Sequence, residues 1–141
     1  MIKAIILSLC ITFSYADSLT LSKKAQKYKA AQIIAAHPDL KYKCIALGIA
    51  AHESANFSSN VYKSKNNMFG IKTRQGTYRR FSSIEKCINY YSMLEKRNSI
   101  KFKIKSPEQY FNRVATFWVE KDKDRKNWKK GVKAHIRLLC R

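Results

Sequence analysis

The chain has 141 residues, with 29 Lys and Arg against nine Asp and Glu and a formal charge of +20. That length admits one compact domain and excludes a multidomain architecture, while the charge points to a polyanionic partner. The basic residues are scattered, as in Lys23-Lys24, Arg79-Arg80 and the stretch from Lys121 to Lys130, and no nucleic-acid motif accompanies them, so nucleic acid is not the expected partner.

Residues 1–16 have the layout of a cleavable signal peptide: Lys3 near the start, an apolar run from Ala4 to Phe13, and Ser14-Tyr-Ala16 as a small-x-small cleavage site. The run is too short to span a bilayer. Cleavage makes Asp17 the first mature residue and the expected location secreted or periplasmic. The remaining domain, 17–141, keeps 28 Lys and Arg against nine acids, or +19. Export favours anionic cell-envelope polymers over nucleic acid as the source of that attraction. Cys44, Cys87 and Cys140 remain after cleavage. An odd number suggests one disulfide plus a free thiol, though Cys44 and Cys87 also fit as small core hydrophobes. No spacing resembles a zinc site, and no cofactor motif is present.

The pattern predicts a mostly helical body. Leu21, Ala25 and Tyr28 mark a first helix ending near His37-Pro38, and a second runs from about Lys41 to Ser54. A third opens with Ser82-Ser-Ile-Glu85, a capping box in which Glu85 reaches back to the Ser82 amide, and continues with Ile84, Cys87, Ile88, Tyr91 and Leu94 at core spacing. Ser106-Pro-Glu-Gln109 opens a fourth with Pro107 at the first helical position and Tyr110, Phe111 and Val114 facing inward. Trp128, Val132, Ile136 and Leu139 define a fifth. The stretch from about Asn56 to Phe81 has no helical period. Gly76, in a polar tetrapeptide flanked by β-formers, predicts a short hairpin there.

Glu53 is the only acidic residue between Asp39 and Glu85, and it closes the apolar second helix. At helical spacing it shares a face with Ala46, Ile49 and Ala50, where losing water disfavours the ionised form and suits the group to donating a proton. A solvated carboxylate at a helix end is the plain alternative from position alone. A helical body, a small hairpin lobe and an acid facing it would make a cleft whose aromatic and amide side chains suit sugar rings.

Ala51-His-Glu-Ser-Ala-Asn-Phe-Ser-Ser59, Asn66-Asn-Met-Phe-Gly-Ile-Lys72 and Arg80-Phe-Ser-Ser-Ile-Glu-Lys-Cys-Ile-Asn-Tyr90 together resemble the bacterial glucosaminidase domain of glycoside hydrolase family 73. The likeness continues more weakly through Ser106-Pro-Glu-Gln-Tyr110 and Asn127 to Ile136, covering about residues 22–138. It implies a lysozyme-like α+β fold, a peptidoglycan glycan strand as substrate, cleavage after N-acetylglucosamine, and Glu53 as general acid. Asn66, Asn67, Phe69, Tyr78 and Trp118 become the candidate substrate contacts, with Gly70 permitting a close backbone approach. A monomer without metal or cofactor is expected.

Three positions depart from the family pattern. The hairpin segment holds no second carboxylate, and Phe81 and Trp118 stand where tyrosines are usual. With Glu53 acting alone, either a bound water attacks the sugar or the substrate supplies the nucleophile, as an acetamido oxygen or a muramyl hydroxyl. The hydroxyl route would make the protein a lytic transglycosylase. Two further readings remain: a wall-binding module with decayed chemistry, and a membrane-active cationic protein supported by charge alone.

Overall fold

The computed structural model describes residues 19–141, so the signal-peptide reading and Asp17 lie outside the described residues. The body is mostly helical. A short 3-10 turn, Ala25–Lys27, precedes α1 (Lys29–Ala36), α2 (Lys43–Glu53), α3 (Asn60–Lys65), α4 (Ile84–Lys101), α5 (Pro107–Trp118) and α6 (Asp122–Leu139).

Every residue of α2 from Ile45 to Ala51 is buried, so the helix is enclosed on all sides rather than amphipathic. Its main partner is α6, which runs antiparallel to it. The two helices come together through reciprocal glycines. A side chain at Gly48 would lie 2.5 Å from Ile136 Cγ1 and 3.1 Å from the Val132 carbonyl, and one at Gly131 would lie 2.5 Å from His52 Cε1. Each helix thus lends the other the space of a missing side chain.

The core positions expected on the last three helices are largely met. Cys87, Ile88 and Tyr91 on α4, Tyr110, Phe111 and Val114 on α5, and Trp128, Val132, Ile136 and Leu139 on α6 are buried. Ser106 accepts a hydrogen bond from the Gln109 amide, with Pro107 inside the first turn. The start of α4 differs from expectation. Ser83, not Ser82, is the cap, accepting from the Lys86 amide, which moves Glu85 one place earlier in the turn; its carboxylate lies 3.6 Å from Lys29.

The other differences lie at the ends. The first predicted helix is broken at Tyr28, whose extended backbone separates the 3-10 turn from α1 and lets its ring meet Phe57 at 4.9 Å. Helix α3 falls in the stretch read as irregular. The expected hairpin reduces to a turn: a single antiparallel bridge joins Lys72 and Tyr78, with Gly76 at φ +81°, and no strand forms among the described residues. The α+β expectation therefore holds only in its helical part. The disulfide suggested by the odd cysteine count does not form among the described residues: Cys44, Cys87 and Cys140 are all free thiols, Cys44 and Cys140 as neighbours and Cys87 as a small residue of the core.

Glu95 is a carboxylate whose burial the sequence does not reveal. It is 2% exposed, and its Oε1 accepts from the Lys41 amide at 2.7 Å and more loosely from Tyr42, fixing the entry to α2. Burial pushes its carboxyl up to about 7, against which the two backbone amides and Lys41 act.

Two stability tests follow from this packing. Gly48→Ala gains about 1 kcal/mol of helix propensity but forces α6 aside, which costs roughly 1–3 kcal/mol. We expect a net fall of several degrees in Tm by circular dichroism, and a larger one for Gly48→Val. For Glu95, the folded state keeps its proton to about pH 7 whereas the ordinary value is 4.5, so stability present below that value is lost as pH rises through 7. Glu95→Gln should therefore gain roughly 2–3 kcal/mol on the parent between pH 5 and pH 8, read from denaturant midpoints.

Candidate active site

The site is built where α2 ends. Ser54 stops the helix by donating its hydroxyl to the Ala50 carbonyl at 2.6 Å while accepting from the Phe57 amide at 2.8 Å. Ala55, Asn56 and Phe57 follow in the left-handed region, with φ of 49°, 56° and 61°. Such residues cost roughly 1–2 kcal/mol each. Burial of Phe57 against Tyr28 and Tyr62 offsets part of that strain.

Glu53 is half-buried at this helix end. The Trp128 indole N–H of α6 donates to its Oε1 at 2.7 Å. The segment 66–72 passes over the other oxygen: a side chain at Gly70, whose φ is +64°, would sit 3.0 Å from Glu53 Oε2. Glycine is needed there for both the backbone angle and the approach. Burial raises the Glu53 carboxyl above its ordinary value, opposed by the Trp128 hydrogen bond and the charge of Lys72. Next to it, burial lowers His52, whose ring lies edge-on to Trp128 and His135 at 6.1 and 5.7 Å.

The segment over Glu53 is pinned from several sides. Asn67 is 1% exposed, and its amide does the work of a missing partner strand: Nδ2 donates to the Ile71 and Arg79 carbonyls at 2.8 Å each, and Oδ1 accepts from the Ile71 amide at 3.0 Å. Asn66, in the left-handed conformation that ends α3, donates to the Phe81 carbonyl at 3.0 Å. Phe69 is fully buried and stacks on Tyr91 with centroids 4.1 Å apart, while its carbonyl accepts from the Trp118 indole N–H at 2.9 Å.

The predicted site residues therefore divide. Glu53 keeps a partly exposed carboxylate under the turn. Asn67 and Phe69 are buried and shape the turn from behind rather than facing solvent, and the indole N–H of the partly buried Trp118 is spent on the same turn. Tyr78 is the open one, 42% exposed, with Lys72 Nζ 5.5 Å from its ring centre. Sequence reasoning placed Trp128 in the core and missed it as the partner of the acid. Its only signal was a tryptophan heading the inward stripe of a helix, which also needs an acceptor for its N–H.

A small helical body that holds one carboxylic acid partly out of water beneath a glycine turn is a layout suited to acid-catalysed glycoside cleavage. The family described as Glucosaminidase, mannosyl-glycoprotein endo-beta-N-acetylglucosaminidase, matches residues 15–140. The chain belongs to that family, and is a glycoside hydrolase whose membership implies a peptidoglycan glycan as substrate. Comparison with curated proteins and with solved structures gives no match.

Trp128→Phe should remove the hydrogen bond that favours the ionised acid, so Glu53 would hold its proton to higher pH. The alkaline limb of the kcat/KM profile then moves up while the maximum falls. An unmoved limb in a folded variant would mean that Trp128 does not tune the acid.

Proposed function

We propose that the protein is an exported endo-β-N-acetylglucosaminidase of peptidoglycan, with a lysozyme-like arrangement in which Glu53 is the general acid. The observation that carries this reading is the environment of Glu53: partly desolvated, bonded to Trp128 through one oxygen and covered by Gly70 at the other. An indole N–H can only donate, so Oε1 must accept and the acidic proton belongs on Oε2. From there it passes to the glycosidic oxygen as the C–O bond breaks, leaving an oxocarbenium-like sugar. Export rests on the signal-like residues 1–16, with Asp17 opening the mature chain in the periplasm or outside the cell. The positive charge supports attachment to an anionic envelope.

The segment from Ser54 to Ile84, which includes the turn over Glu53, holds no Asp or Glu, and Glu95 is buried with its Oε1 on the backbone of residues 41–42. The attacking group is then a water held by polar groups of the cleft, or a group of the substrate itself. We favour water. The missing base gives the muramyl-hydroxyl route, with anhydro products, its one specific support.

Glu53→Gln keeps the acceptor for Trp128 but has no proton to give, and should lose roughly 10²–10⁴ of the rate in a peptidoglycan gel assay. Equal clearing by both forms would refute an acid role for Glu53, and the reading of the protein as a glycan-cleaving enzyme fails if neither clears the gel. Mass analysis of released muropeptides separates the two routes. Reducing N-acetylglucosamine ends are expected, and anhydromuramyl ends would replace hydrolysis by transglycosylation.

A further inference from the structure

Helices α5 and α6 enclose an open groove of about 520 Å³, floored by Ala115 and lined by six basic side chains and no acidic one. Two of the six are spent internally. Arg125 donates to the Val119 and Glu120 carbonyls and pairs with Asp122, and Lys129 Nζ donates to Asn112 Oδ1 at 2.6 Å. The other four, Lys126, Lys130, Lys133 and Arg137, have no acidic partner among the described residues.

Their positions form a row. From Lys126 to Arg137 the helix rises about 16 Å, with a cation every three or four residues, or about 4.5–6 Å. Like charges at these spacings weaken a helix, so the row is unfavourable until an anion lies along it. A single small anion would satisfy one or two members, whereas a linear polyanion satisfies them all. Lysine binds phosphate as a point charge, with no fixed geometry to impose on a flexible chain.

We propose that this groove binds a phosphodiester wall polymer, a chain of polyol phosphates carrying one fixed negative charge per repeat. The proposal rests on the reading of the protein as a wall enzyme. Nucleic acid fits less well: binding single strands uses aromatic rings on which bases stack, and the one ring here, Phe111, is 6% exposed and lies beneath Lys129 and Lys133. A flat lipid surface would leave a concave groove unfilled. The groove is separate from the acid but close to it, because Trp128, which holds Glu53, stacks on Phe111 at 6.0 Å.

The test measures binding without turnover, using the full chain and a defined poly(glycerol phosphate) at several salt concentrations. The variant Lys126→Ala, Lys130→Ala, Lys133→Ala, Arg137→Ala should lose at least tenfold in affinity at low salt. Its slope of log K against log salt should become shallower by about 3, from four lost phosphate contacts. A control of equal net charge, Lys23→Ala, Lys63→Ala, Lys86→Ala, Lys96→Ala, should bind almost as the parent does. Both variants should cleave peptidoglycan stripped of phosphopolymers at the parental rate. Equal losses in both variants would reduce the groove to bulk charge and overturn the proposal. Tighter binding of an oligothymidylate or of anionic phosphatidylglycerol vesicles would assign it to another occupant. Binding without glycan cleavage by the parent would sink the enzymatic reading and leave the groove standing.

Discussion

The close contact of α2 with α6 is the constraint from which the rest follows. A helix buried on every side must be covered on every side, and α2 achieves this with Ala46, Gly48, Ala50 and Ala51, residues small enough for neighbouring elements to approach its backbone. Gly48 receives Ile136, and Gly131 receives His52 in return. At interior packing density there is no slack between such surfaces, so a methyl group on either glycine moves a helix rather than filling a void. One turn beyond these contacts the same pair of helices brings Trp128 onto Glu53. The site is therefore an extension of the packing.

This placement of Glu53 has a cost in stability. Covering α2 takes water from Glu53, which disfavours its charge and holds its carboxyl above the ordinary value. The left-handed run Ala55–Phe57 and the closely covered carboxylate are both unfavourable by themselves, and the core around them must hold them in place. Trp128 and Lys72 pull the other way, keeping the carboxyl from being locked neutral. The acidity of Glu53 is thus set by a balance between burial and two donors or charges that come from opposite sides, α6 and the covering turn.

Much of this was legible in the sequence, for reasons that can be named. The inward faces of α4, α5 and α6 follow from apolar periodicity because each helix has one wet side. Glu53 stood out because a carboxylate on an apolar stripe contradicts its surroundings. Helix α3 escaped because none of its six residues is buried, so it has no periodicity to read; Ser59 as its cap and Asn66 as its left-handed end were the only traces. The hairpin was overestimated because Asn67 meets the backbone groups that a partner strand would have met. Trp128 was read correctly as buried, yet its role depends on which acceptor lies opposite, a long-range fact that local pattern does not carry.

That long range also orders events in time. The indole that attends the acid comes 75 residues after it in the chain. A growing polypeptide therefore carries its glutamate well before it carries the helix that shields it, and until then the carboxylate sits in water and ionises at ordinary acidity. Such a chain has the carboxylate but not yet the burial that disfavours its charge in the fold. The surroundings of Glu53 are complete only with α6, so a product of premature termination or of proteolysis before residue 122 carries the glutamate without its indole partner. The order of the helices makes the setting of Glu53 a property of the fold and not of the segment that contains it.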